Sequence, residues 1–244
     1  MNGLLEGRVA IVAGGSVGVG REVVSRLADA GAAVASIGPI DRVAYPAAHS
    51  ATTVEMEVNL DDQEAVLAAF ARIQTEIGPA DVSVFAYVNP EALVQRPVIE
   101  LSEDEWDRLA EAPVRSVLWW LQGSHRHMEG RGGRMIAICP SVAIEGASQL
   151  APAAAAAEGQ RGLVKSAARR WGGAGVTCNM IAPPVWALAP GLEGTDAARN
   201  TPSLPPAENP LTEIADAVVL LSGPYAARLT GITVNADSGA LMSP

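Results

Sequence analysis

Residues 9–24 read Val9-Ala10-Ile11-Val12-Ala13-Gly14-Gly15-Ser16-Val17-Gly18-Val19-Gly20-Arg21-Glu22-Val23-Val24: an apolar run that breaks into glycines and resumes with helical period. A short, continuous apolar run ending in glycine fits a strand covered on both faces. Glycines after it let the backbone turn tightly and approach a pyrophosphate, while the following helix offers free N–H groups and the positive end of its dipole. The spacing Gly14-x-x-x-Gly18-x-Gly20 therefore predicts a phosphate-binding turn, with Gly14, Ser16, Val17, Gly18 and Gly20 as its candidate contacts.

The same alternation continues outward from this unit. Apolar runs at 32–37, 54–58, 82–87, 135–139, 176–182 and 232–234 are separated by segments of helical period near 62–77, 102–130, 152–171 and 211–222. This predicts a Rossmann-type, doubly wound α/β domain over residues 1–244, a seven-stranded parallel sheet with helices on both faces. Ser102 and Glu105 have the spacing of a capping box. Pro113 removes a helical hydrogen bond, so a kink or two abutting helices is expected there. Residues 183–210, rich in Pro, Gly, Asn and Thr, read as a lid or substrate loop.

Composition excludes several partners. A net charge of -10 over 244 residues lacks the basic footprint that nucleic acid or an anionic membrane attracts. No apolar run approaches the ~18 residues of a membrane span. Cys139 and Cys178 cannot build a disulfide framework, and no secretory start precedes the first strand, so a reducing, cytoplasmic setting is expected. His125 and His127, two apart on a helix, diverge; they read as surface residues, and no metal site is expected.

Beyond the turn, further matches are Asn59-Leu60-Asp61-Asp62, Glu105-Trp106-Asp107, Gly133-Arg134-Met135-Ile136, the run Gly162 to Arg169, Asn179-Met180-Ile181-Ala182-Pro183 and Leu229-Thr230-Gly231. With these the chain resembles the short-chain dehydrogenase/reductase family over nearly its whole length. The resemblance implies a catalytic tyrosine and, four residues later, a lysine that lowers its pKa and holds the nicotinamide ribose. Those positions fall on Ala153 and Ala157. The family's serine falls on Pro140 or, with one residue of slack, Ser141, and its helix asparagine falls on Pro113. The family's Asn-Asn-Ala-Gly segment reads Phe85-Ala86-Tyr87-Val88. The adenine-side acidic residue is Asn59, the glycine after Pro183 is Pro184, and Gly38 stands where an NAD-preferring member carries an acid. Arg42 is too distant in sequence to be an obvious partner for a 2′-phosphate.

Loss of a general acid alone typically costs a factor of ~10²–10⁴. The expectation from sequence is therefore a catalytically silent structural subunit, in a homo-oligomer or with an active paralogue, assembled through the 102–130 and 152–171 helices as the resemblance implies. Alternatives are a retooled enzyme with non-redox chemistry (cyclisation, dehydration or isomerisation), a residual NAD(P)-dependent oxidoreductase, or a module sensing a dinucleotide or hydrophobic metabolite. NAD or NADP would enter through the glycine turn. Ser141, Glu145, Glu158, Cys139 and Tyr87 are the polar groups placed near the pocket, with Glu158 read as a solvated helix residue and Trp186 as a pocket residue on the loop.

Overall fold

The computed structural model describes residues 3–41, 53–198, 201–205 and 208–242. Its seven strands are β1 (Val9–Ala13), β2 (Ala33–Gly38), β3 (Thr53–Glu57), β4 (Val82–Phe85), β5 (Gly133–Ile138), β6 (Val176–Ala182) and β7 (Thr233–Asn235). They form one parallel sheet in the order β3-β2-β1-β4-β5-β6-β7. Ala10 lies opposite both Val34 and Val82, so the chain reverses its winding between β1 and β4. In open α/β sheets that switch point, at the carboxyl ends of the strands, is where ligands bind.

Helices α1 (Gly18–Asp29), α2 (Gln63–Glu76), α3 (Glu103–Trp106), α4 (Ala112–Met128), α5 (Val142–Glu145), α6 (Ala151–Trp171), α7 (Val185–Leu188) and α8 (Pro210–Ser222) complete the fold. Side chains alternate across each strand. Ile11, Ala13 and Phe85 enter one core with Phe70, Trp120 and Val164 from α2, α4 and α6. Ala10, Val12 and Val84 enter the other, with Val23 and Leu27 of α1 and Val218 of α8. Trp120 is anchored further, its indole N–H donating to Ser83 Oγ at 2.8 Å. Truncating so large a buried side chain would cost about 3–5 kcal/mol.

The long helical segment is broken where Pro113 lies. Ser102 and Glu105 close a capping box over α3, a π-helical stretch covers Asp107–Glu111, and α4 then starts with Pro113 in its first turn. Without an N–H, Pro113 cannot donate to the Leu109 carbonyl, and the widened turn absorbs the break.

Two sequence expectations change. His127 is not on the surface: it is 2% exposed, accepts the Ala80 N–H at Nδ1 (3.0 Å), and its Nε2 faces the Phe70 carbonyl at 2.9 Å. His125 instead stacks against Trp171, ring centroids 4.5 Å apart. The 183–210 segment is also more than a loop. It contains α7, and Leu192 and Ala197 are buried with Val142, Leu150 and Ala153 of the α5–α6 region.

Candidate functional site

The turn after β1 is built from glycines because side chains do not fit. At Gly14, φ is +83° and an added Cβ would lie 2.7 Å from the Tyr87 backbone. At Gly20 it would overlap the Gly14 carbonyl oxygen, so β1 and α1 approach too closely for any other residue. Val17 precedes α1 with extended backbone and makes no side-chain cap. The first-turn N–H groups of α1 are thus left without the side-chain acceptor that usually satisfies one of them. Ser16 points elsewhere than expected: it is buried, and its hydroxyl lies 3.0 Å from Ser36 Oγ on β2.

Beside the turn lies an open cleft of about 310 Å³, lined among others by Val17, Gly18, Asp41, Tyr87, Val88 and Leu188. Leu188, rather than the loop's Trp186, is the α7 side chain that lines it; Trp186 packs, half-buried, against the core beneath α1 and α8. Asn59 is exposed and closes a turn by accepting the Asp61 N–H at 3.0 Å. Arg42 lies outside the described residues.

Ala153 and Ala157 do come together, with Pro113 and Pro140, around a second, inner hollow of only about 30 Å³. The sequence reading missed Gln160, which also lines it. Cys139 donates its thiol hydrogen to Gln160 Oε1 at 2.8 Å, and Gln160 Nε2 donates to the Pro113 carbonyl at 3.0 Å. The spacing of Gln160, one helical turn after Ala156, was the available signal, and the structure shows it buried. Burial pushes the Cys139 thiol well above the ordinary range, which removes it as a nucleophile.

Ser141 is buried, and its hydroxyl donates to the carboxylate of Glu145 one turn later on α5. Its N–H donates to the Pro183 carbonyl at 2.8 Å. The pair fastens the end of β5 to the end of β6. Glu158 is engaged by Arg161 on α6. The remaining group is Tyr87. It lines both the cleft and the inner hollow. Burial first, and then the nearby Asp61 carboxylate, raise its phenol above the usual tyrosine range, so at neutral pH it keeps its proton.

A nicotinamide dinucleotide, the cofactor implied by the fold, fits one half of this site. The glycine cradle and the α1 N-terminus suit its pyrophosphate. In the other half, Ala153 and Ala157 offer no side-chain donor to a ribose.

Among the described residues no helix is long and apolar enough to cross a membrane. The family described as enoyl-(acyl carrier protein) reductase matches residues 13–240. The 3-oxoacyl-[acyl-carrier-protein] reductase of Vibrio harveyi is 31% identical over 98% of this chain and 99% of its own length. The 2-dehydro-3-deoxy-D-gluconate 5-dehydrogenase of Escherichia coli is 27% identical over 88% of this chain and 81% of its own. Among solved structures, a short-chain dehydrogenase/reductase from Serratia marcescens superposes with TM-score 0.78 at 29% identity, covering 97% of this chain and 98% of the other. A dehydrogenase/reductase from Sinorhizobium meliloti gives 0.85 at 25%, covering 98% of each.

These relatives overturn the expectation of a silent structural subunit, since all four are named as redox enzymes. Physically, the glycine turn and the protonated phenol of Tyr87 line the same cleft. On the sheet order, the glycine turn and the match across residues 13–240, the chain belongs to the short-chain dehydrogenase/reductase family.

Proposed function

We propose that this chain is an NAD(P)-linked oxidoreductase that interconverts a carbonyl and an alcohol, with Tyr87 as the proton donor in place of the family's tyrosine on α6. The observation that carries this reading is the position of Tyr87, the one ionisable side chain that lines both the dinucleotide cleft and the inner hollow among the described residues.

A dinucleotide bound there supplies or accepts a hydride. The backbone of Gly14, Gly18 and Gly20 and the first turn of α1 hold its phosphates. Tyr87 then donates a hydrogen bond, and finally a proton, to the carbonyl oxygen as negative charge grows on it. Without a lysine to acidify it, and with burial and Asp61 working the other way, this phenol is a weaker acid than the lysine-tuned one. Catalysis is accordingly slower than in relatives that keep the pair. Leu93, Val88 and Leu188 give the cleft an apolar wall. With the name of the Vibrio harveyi relative, this makes 3-oxoacyl thioesters the first substrates to test. Ser141 and Glu145 act as positioning residues. Assembly through α4 and α6 belongs to the same proposal; on α6, Ala155 is exposed and Ala156 buried.

The test is a titration of NADH and NADPH into the purified chain, followed by dinucleotide consumption with a 3-oxoacyl thioester. Binding together with thioester-dependent consumption supports the reading. Absence of both contradicts it.

A further inference from the structure

At the opposite edge of the sheet from the glycine turn, near the amino ends of β1, β4 and β5, the chain forms a second cavity of about 350 Å³. Its charged lining is Arg8, Asp81, Arg131 and Arg134: three guanidiniums against one carboxylate, in a chain of net charge -10. The sheet itself brings them together. Arg8 precedes β1, Asp81 precedes β4, Arg134 is the second residue of β5, and Arg131 sits in the turn between α4 and β5.

The single carboxylate is already engaged on both oxygens. Asp81 Oδ1 accepts from Arg8 at 2.9 Å and from Arg131 at 3.5 Å, and Oδ2 accepts the Val9 N–H at 3.1 Å. Arg134 has no share in it: Nη1 donates to the Gly133 carbonyl at 3.0 Å, while Nε is buried with no hydrogen-bond partner. A buried donor on a charged group is costly to leave unpaired. Burial and the neighbouring Arg8 also hold Arg134 below the usual arginine range, the mark of a cation lacking an anion. Guanidinium forks match the oxygens of a phosphate in geometry and charge.

We infer that this cavity binds a phosphate group, free or as a small monoester, among Arg8, Arg131 and Arg134. The volume admits a monoester as well as the free ion. The site lies across the sheet from the cofactor cleft, so a ligand there ties the amino ends of three strands to the end of α4 without competing for the dinucleotide.

The test is thermal unfolding of the whole chain with increasing inorganic phosphate, with glycerol phosphate, and with chloride at matched ionic strength. The expected result is a saturable rise in melting temperature with phosphate or glycerol phosphate and none with chloride; whichever of the two acts at lower concentration identifies the source of the group. Arg131→Gln and Arg134→Met should each weaken the apparent affinity roughly tenfold, the loss of one charge-assisted contact. Arg131 is exposed over nearly half of its side chain, so its variant keeps the test open should Arg134→Met fail to fold. An undiminished phosphate response in Arg131→Gln would place the ion elsewhere and overturn the inference, as would an equal response to chloride. No dinucleotide is present, so the outcome is separate from that of the proposed redox activity.

Discussion

The Cys139 thiol lies 2.8 Å from Gln160 Oε1, and through Gln160 Nε2 it is linked to the Pro113 carbonyl, so one side chain joins the end of β5, α6 and α4 beside Ala153 and Ala157. Replacing Gln160 by Leu removes both buried bonds and leaves the Cys139 thiol without an acceptor, and should destabilise the fold by about 1–3 kcal/mol in urea titration. Both thiols are buried, and burial pushes Cys178 up to about 12. Neither should react with a thiol reagent until the protein unfolds. Stoichiometric labelling of the native chain would refute this.

Gly20→Ala places a Cβ on the Gly14 carbonyl oxygen, so the turn must open. Dinucleotide affinity should fall at least about tenfold, equal to ~1.4 kcal/mol. Equilibrium titration compares the two proteins, and unchanged affinity would remove the turn from the binding site.

Restoring the family's pair should fail. The hollow beside Ala153 and Ala157 holds about 30 Å³, far too little for a phenol, and Ala157 is only 3% exposed within the core beneath α6. Ala153→Tyr with Ala157→Lys overpacks this region and buries a charge. A melting temperature several degrees below wild type, with no gain in kcat, is expected. A rate increase without destabilisation would show that the pocket accepts the old machinery.

His127 gives a pH dependence. Burial lowers its folded pKa below the ordinary 6.5, outweighing the bond to the Phe70 carbonyl. As pH falls, the unfolded chain therefore takes up the proton first. The stability due to neutral His127 is complete above the unfolded pKa and is lost as pH drops through and below it. Urea midpoints should decline between about pH 7.5 and about pH 5.5, and less steeply in His127→Gln. An identical slope in the variant would assign the decline to other groups.

Much of this was legible in the sequence. Seven apolar runs, a glycine turn and the Ser102–Glu105 box are local patterns, and each reports its own backbone. That Ala153 and Ala157 share one pocket with Pro113 was legible too, because spacing along α6 sets it. Which face of a helix turns inward was not. His127 looked like a surface residue until α4 packed its ring against Phe70, and Gln160 acquires its role only where α6 meets Cys139 and Pro113. The silent-subunit reading rested on positions counted along α6, and it is the relatives named as reductases and dehydrogenases that overturn it.

The most direct test is the Tyr87→Phe rate. Initial rates of dinucleotide oxidation with a 3-oxoacyl thioester should fall by a factor of ~10²–10⁴ in kcat with little change in dinucleotide affinity, as expected when a general acid is removed. In the wild type the rate should be flat through neutral pH and decline only above the ordinary tyrosine pKa, because burial and Asp61 hold the proton on. A Tyr87→Phe protein that turns over at the wild-type rate would contradict the account.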